Sequence, residues 1–234
     1  MENAFTRTLL LLGEQAFGKL QKSRVCIFGI GGVGSFTVEA LARAGIGTLI
    51  IVDGDTICPT NINRQIHATS QTVGLVKVAV MKERILQINP QAKVFAVHEF
   101  YSSQTDNNSF FDVDYIIDAV DDIKAKTDIA IKAYNKNIPI ISAMGAANKL
   151  DPTKFEVSDI YSTCTDPLAR IMRKNLRAAG VPRLKVVYSR EKPLPAKVVG
   201  ENCLPATQLG SISFVPSVMG LIIASEVVKD LISF

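Results

Sequence analysis

An α/β fold, a Rossmann-type and mostly parallel sheet with helices on both faces and a specialised C-terminal third, is what this 234-residue sequence predicts. Three observations carry that reading. Short β-branched apolar runs alternate with helical stretches over the first 142 residues. A glycine-rich turn, Gly29-Ile30-Gly31-Gly32-Val33-Gly34, joins the first run to a helical stretch. Asp53 closes the next run about twenty residues further on, the spacing of a dinucleotide-binding βαβ unit.

In chain order, an apolar helix begins near Arg7, in Arg7-Thr8-Leu9-Leu10-Leu11-Leu12-Gly13. Arg24–Gly29 is the first strand, Ser35–Ala44 the helix after the glycines, ended by Gly45, and Thr48–Val52 the second strand. Val76–Ile88 is the clearest helix: Val78, Met81, Ile85 and Ile88 recur at helical spacing, and Asn89-Pro90 stops it. Lys93–Val97 reads as a strand, and Ser102–Ser109 is a polar, turn-rich loop. Asp114–Asp118, a helix around Lys124–Lys136, and Ile138–Ser142 complete the alternation. Strands bracketed by helices in this way predict a parallel sheet covered on both faces.

After Gly145 the pattern changes. Phe155–Ile160 and Leu184–Ser189 read as strands flanking a basic helix, with Asp166 as its N-cap, Pro167 in its first position and Gly180 as its stop. Ile212–Val215 reads as a last strand, with Pro216 opening the C-terminal helix. No linker, repeat or low-complexity tract interrupts the chain. One domain over 1–234 is therefore expected, with a nucleotide-binding core at 1–145 and a substrate-binding part at 146–234.

Composition narrows the function classes. Hydrophobic residues at 47% with charged residues at 21% fit a soluble globular domain. Cys26, Cys58, Cys164 and Cys203 form no CxxC pair, so no structural zinc is expected, and they read as reduced thiols of a cytoplasmic protein. The N-terminal leucine run is too short for a signal-peptide core, and the apolar stretch Ile212 to Val228 is broken by Pro216 and Glu226. No membrane role is expected; the second stretch reads as a buried or interface helix. The net charge of +4 is uneven: Arg170 to Lys192 holds eight basic residues against Glu191 alone. That asymmetry points to a polyanionic partner.

The glycine turn lets the backbone approach a phosphate, whose charge a helix N-terminus favours. Asp53 stands where a carboxylate receives ribose hydroxyls. This much serves ATP, NAD or FAD equally. The next segment discriminates: Asp53-Gly54-Asp55 leads to Asn61-Ile62-Asn63-Arg64-Gln65, and Lys77 follows in the first turn of the next helix. Hydride transfer has no need of an arginine and a lysine beside the phosphates, whereas attack at phosphorus must hold negative charge as pyrophosphate leaves.

The order GxGGxG, DxD, NxNRQ, helical lysine, then Asp118-Ala119-Val120-Asp121 resembles the ATP-binding core of the ubiquitin-activating-like enzymes, over roughly residues 5 to 145. That superfamily includes the bacterial activators of molybdopterin synthase and of the thiamine sulfur carrier. The resemblance implies ATP and Mg2+ as ligands. It assigns the phosphate turn to Gly29, Gly31, Gly32 and Gly34, the ribose to Asp53 with Asp55 nearby, and the phosphates to Asn61 and Arg64. Lys77 falls at the α-phosphate and Asp121 at Mg2+. Arg7 matches an arginine supplied to the partner subunit's ATP, which implies a homodimer.

Further runs extend the likeness over nearly the whole chain. Asn61 to Ala68, Asp166-Pro167-Leu168-Ala169-Arg170 and Gly210 to Pro216 resemble the tRNA threonylcarbamoyladenosine dehydratases. The implied reaction is ATP-dependent cyclisation of the modified adenosine in tRNA, through adenylation of its carboxylate. Closure is then intramolecular, so no enzyme nucleophile is required. A tRNA carrying threonylcarbamoyladenosine would also explain the basic helix, where Arg170, Arg173, Lys174 and Arg177 share one broad face. The runner-up is an adenylating activator of a small ubiquitin-like sulfur-carrier protein; a nicotinamide-dependent dehydrogenase or nucleotide sensor is a third class. His67, His98 and Cys58 receive no role, and a sulfur-transfer partner stays undefined.

Overall fold

Helix α1 (Thr6–Lys22) leads into β1 (Arg24–Phe28), α2 (Gly34–Ala44) and β2 (Thr48–Val52), in a computed structural model that describes residues 3–104, 108–195 and 209–233. Then come α3 (Lys77–Ile88), β3 (Lys93–Val97), β4 (Tyr115–Asp118), α4 (Ile123–Asn135) and β5 (Ile140–Ala143). The last third supplies β6 (Phe155–Asp159), α5 (Pro167–Ala178), β7 (Lys185–Ser189) and α6 (Phe214–Ile232). All seven strands form one sheet in the order β3-β2-β1-β4-β5-β7-β6. Every pair is parallel except β6 with β7. The C-terminal third therefore extends the same sheet instead of building another.

The apolar runs explain their own positions. β1, β2 and β4 are buried along nearly their whole length, which suits strands covered by helices on both faces. One core gathers Ile27, Leu49, Ile51 and Ile117 with Val38 and Leu41 of α2, Met81 and Ile85 of α3, and Met219 and Ile223 of α6. On the other face Phe28, Ile50 and Ile116 meet Ile129 of α4 and the rings of Tyr101, Phe110 and Phe111. Helix α6 lies against α2 at Gly220, where a Cβ would come within 2.4 Å of the Val33 carbonyl oxygen. Thr37 Oγ1 donates to the Gly220 oxygen at 3.1 Å across that contact.

The expected strand at Ile212–Val215 is not formed: Ile212 and Ser213 lie outside regular structure, and Phe214 already begins α6. Pro216 is thus the third residue of the helix, not its opening. A four-residue apolar run has no periodicity to separate a strand from the start of a buried helix. A proline in the first turn lacks only an N–H that would have no intrahelical partner. Burial of Val215, Met219, Ile223 and Val227 at helical spacing decides the outcome. Asp166 caps α5 by accepting from the Ala169 N–H, and Gly180 follows the helix at φ 72°.

Candidate active site

The strand order reverses between β1 and β4, and ligands of open α/β sheets bind beyond the strand ends at such a point. The glycine turn sits there. Gly29 has φ 85°, and a Cβ on it would meet the Ala119 carbonyl oxygen at 2.6 Å, so both conformation and space demand glycine. A Cβ on Gly34 would fall 1.8 Å from the Gly29 oxygen. Val33, at the cap of α2, offers no side-chain hydrogen bond to the helix N-terminus. The Ser35 N–H donates to the Gly31 carbonyl at 3.0 Å within the turn, and the dipole of α2 favours an anion at this end.

Around this turn a cleft of about 650 Å³ gathers Gly29, Gly31, Gly32, Asp53, Asp55, Asn61, Arg64, Lys77 and Asp121. Asp53 holds the turn from below: its Oδ2 accepts from the Ile30 N–H at 2.6 Å and its Oδ1 from the Asp55 N–H at 2.9 Å. Lys77 opens α3 and is only 4% exposed; its Nζ lies 2.5 Å from Asp55 Oδ2 and 3.9 Å from Asp53 Oδ1. Asn61 Oδ1 accepts from the Cys58 N–H at 3.0 Å, which fixes the orientation of its amide. The half-buried Arg64 uses Nη1 on the Thr60 carbonyl at 2.7 Å and on Asn63 Oδ1 at 3.0 Å. Asp121 is exposed in the β4–α4 turn, while its neighbour Asp122 caps α4 by accepting from the Ala125 N–H at 2.7 Å. The cap is therefore not Asp121, whose carboxylate stays available to the cleft.

Two expected site residues lie apart from the lining. Gly34 stands directly behind the turn as the first residue of α2. Arg7 is exposed on α1, beside Leu10 and Leu11, which are 81% and 82% exposed. The cleft also holds residues to which the motifs assigned no role. Phe100, Tyr101, Val120 and Ala125 give it an apolar wall suited to a planar base, and Gln65, Ala146 and Ser211 line its other sides. Gln65, Val120 and Ser211 fall inside the runs that carry the resemblance but had no role there, and the others had no signal beyond nearness to strand ends.

His67 is 2% exposed, and neither ring nitrogen has a hydrogen-bond partner among the described residues. Burial, then the positive charges of Lys77 and Arg84, lower its pKa from 6.5 to about 4. The folded protein thus keeps His67 neutral where the unfolded chain would protonate it. Stability should fall as pH drops from 6.5 toward 4, by up to roughly 3 kcal/mol from this one group. Urea unfolding between pH 7 and 4.5 should show that loss in the parent and a shallower one in His67→Leu; equal slopes would assign the loss elsewhere.

The basic segment divides on inspection. Arg170, Lys174 and Arg177 are exposed on α5, and Arg177 stacks over the Tyr161 ring at 5.1 Å. Arg173 is half-buried and donates to both the carbonyl and the hydroxyl of Thr163, so it also braces the loop before α5. Lys185 pairs with Glu226 and Asp230, and Arg190 with Glu156. The free positive surface is therefore narrower than the count of eight suggested. Cys203 lies outside the described residues. No helix among the described residues is long and apolar enough to cross a membrane.

A sheet with a phosphate turn at its switch point, and cations and carboxylates converging on one cleft, defines a nucleotide-binding α/β protein equipped for chemistry at phosphorus. The chain belongs to the ThiF family, whose sequence model matches residues 5–234. A tRNA threonylcarbamoyladenosine dehydratase of Bacillus subtilis is 43% identical, covering 99% of this chain and 96% of the relative. The Escherichia coli tRNA N6-threonylcarbamoyladenosine dehydratase, solved in complex with ATP, superposes with a TM-score of 0.88 at 33% identity, covering 98% of this chain and 94% of that one. The Escherichia coli sulfur carrier protein ThiS adenylyltransferase is more distant, at 29% identity over 74% of this chain and 68% of its own.

Proposed function

We propose that this chain is an ATP-dependent tRNA threonylcarbamoyladenosine dehydratase, built as one adenylation domain over 1–234 and working in the cytoplasm as a homodimer. The observation that carries the reading is the 43% identity to a dehydratase across nearly the full length of both chains. The cleft supplies a chemical reason for it. A carboxylate oxygen of the threonyl side chain attacks the α-phosphorus of ATP, the bond to the bridging β-oxygen breaks, and pyrophosphate leaves. A nucleophilic atom of the same side chain then attacks the acyl carbon, AMP departs, and one proton is lost. Proximity does the second step's work.

Each residue has a part in this scheme. The glycine turn and the N-terminus of α2 receive phosphate. Asp53 sets the turn and borders the ribose. Arg64 and Asn61 bind the outer phosphates, and Lys77 neutralises charge at the α-phosphorus, released from Asp55 as ATP enters. Asp121 would hold Mg2+ together with phosphate oxygens and water. The donor set suits that cation: Mg2+ commonly keeps several waters and takes only one or two carboxylates. No group of three or more His, Cys, Asp or Glu among the described residues could cage a metal unaided. Bound there, the ion would draw charge from the departing pyrophosphate.

Arg7 acts in trans in this reading, because it does not line the cleft of its own chain and lies beside two exposed leucines. Mixing inactive Arg7→Ala with inactive Lys77→Ala should restore part of the activity, since a mixed dimer regains one intact site. Demonstrated subunit exchange without rescue would rule out the shared site.

The exposed face of α5 would bind tRNA backbone. Replacing Arg170, Lys174 and Arg177 with alanine should weaken tRNA binding and lower the slope of log affinity against log salt by roughly 0.7 to 0.9 per lost contact. ATP affinity should hold. Unchanged slopes would move the tRNA to another surface.

The reading as a whole is separated from its runner-up by pyrophosphate exchange. Tested with threonylcarbamoyladenosine-bearing tRNA and with a small sulfur-carrier protein, exchange should respond to the tRNA. Stimulation by the carrier alone would favour the carrier activator.

A further inference from the structure

Directly beneath the cleft lies a pair of charges that no step above employs. Asp118 ends β4, Lys126 lies in α4, and both side chains are wholly buried, with Nζ 2.8 Å from Asp118 Oδ2. Ser142 of β5 donates its hydroxyl to the same carboxylate oxygen at 2.5 Å. Taking two charges out of water offsets much of their attraction, so such a pair is a poor way to gain stability. Its remaining bonds indicate another use. Lys126 Nζ also donates to the Val120 carbonyl at 3.2 Å, and the Val120 N–H donates to Asp118 Oδ1 at 3.3 Å. On the far side of Asp121, the Asp122 side chain caps α4 and its carbonyl accepts from the Lys126 N–H at 3.0 Å. Both neighbours of Asp121 are thus fixed to the same buried lysine and its helix, while the Asp121 carboxylate is left exposed to the cleft.

We infer that Lys126 and Asp118 are positioning residues that set the Asp121 carboxylate for the metal of an ATP–Mg2+ complex. The inference rests on Asp121 being the metal-binding residue, as proposed above. Lys126 reaches no substrate; it acts through the Val120–Asp122 backbone. Loss of the pair should leave the glycine turn and Lys77 in place, because Asp53 and Asp55 hold them independently. What is lost is the gain in ATP affinity that Mg2+ confers.

Calorimetric titration of ATP with and without Mg2+ tests this without any turnover. The proteins are the parent, Asp121→Asn, Lys126→Met and the double variant Asp118→Asn with Lys126→Met. The double variant leaves no unpaired buried charge, so it keeps the measurement possible if Lys126→Met alone does not fold. Mg2+ should tighten ATP binding by the parent, and that gain should shrink about tenfold in Asp121→Asn and in both pair variants. The Mg2+-free ATP affinity of the two pair variants should stay within about twofold of the parent, since the coupling and not the site is removed. A parental Mg2+ effect in the double variant, with loss in Asp121→Asn, would overturn the positioning role and leave the metal site standing. An equal fall in affinity with and without Mg2+ would make the pair merely structural. A parental Mg2+ effect in Asp121→Asn would remove the metal reading and this inference with it.

Discussion

Alanine at Asp121, Arg64 or Lys77 should each slow adenylation on the order of 100-fold, the usual effect of removing a preorganised partner of transition-state charge. The three losses should differ in kind. Lys77 is nearly buried and sits 2.5 Å from Asp55 and 3.9 Å from Asp53, so its removal also leaves two carboxylates facing incoming phosphates. KM for ATP should therefore rise as kcat falls. Arg64 is half-buried and partly tied to Thr60 and Asn63, so its loss should fall mainly on the departing pyrophosphate and on kcat. For Asp121→Ala, excess Mg2+ should recover a share of the activity. Pyrophosphate exchange read against ATP and Mg2+ concentration separates these patterns. Near-parental exchange in any one variant would take that residue out of the mechanism.

Gly34→Ala should be nearly as damaging, by a different route. The added Cβ would stand 1.8 Å from the Gly29 carbonyl oxygen, and backbone cannot swing aside as a flexible side chain can. The turn must open, which should cost about 3 kcal/mol of stability, the upper end for overpacked sites. It should also abolish the rise in melting temperature that ATP gives the parent. Gly18→Ala is the control: it lies within α1, with nothing within 4 Å of the added Cβ, and should stabilise by about 0.5–1 kcal/mol. Thermal melts with and without ATP–Mg2+ read both. Retention of the ATP shift by Gly34→Ala would mean that the turn is not the phosphate site.

Most of the sheet could be read from the residues because each buried strand carries its own apolar run and each helix its own period. Val78, Met81 and Ile85 fall on one face by spacing alone, and all three are buried in α3. Local chemistry made the glycine turn and the Asp166 cap equally readable. Ile212–Val215 failed for the opposite reason: four apolar residues before a proline are locally ambiguous, and only packing of α6 on α2 resolves them. The candidate site was legible where one segment carries it, as in Asp53 to Lys77. It was not legible where contacts cross the sheet. Lys126, Asp118 and Ser142 come from three elements, and no spacing announces that they meet. His67 was visible as a residue but not as a buried ring without a hydrogen-bond partner among the described residues. The eight-residue basic count misled in degree, because Lys185 and Arg190 are paired with acids from distant segments.

The reaction itself is tested most directly by mass spectrometry of nucleosides from tRNA incubated with this protein and ATP–Mg2+. Threonylcarbamoyladenosine should be converted to a nucleoside lighter by one water, with pyrophosphate and AMP released, no conversion when ATP is omitted and conversion slowed on the order of 100-fold when Lys77→Ala replaces the parent. Unchanged threonylcarbamoyladenosine, under conditions where the same protein binds both ATP and that tRNA, would contradict the assignment.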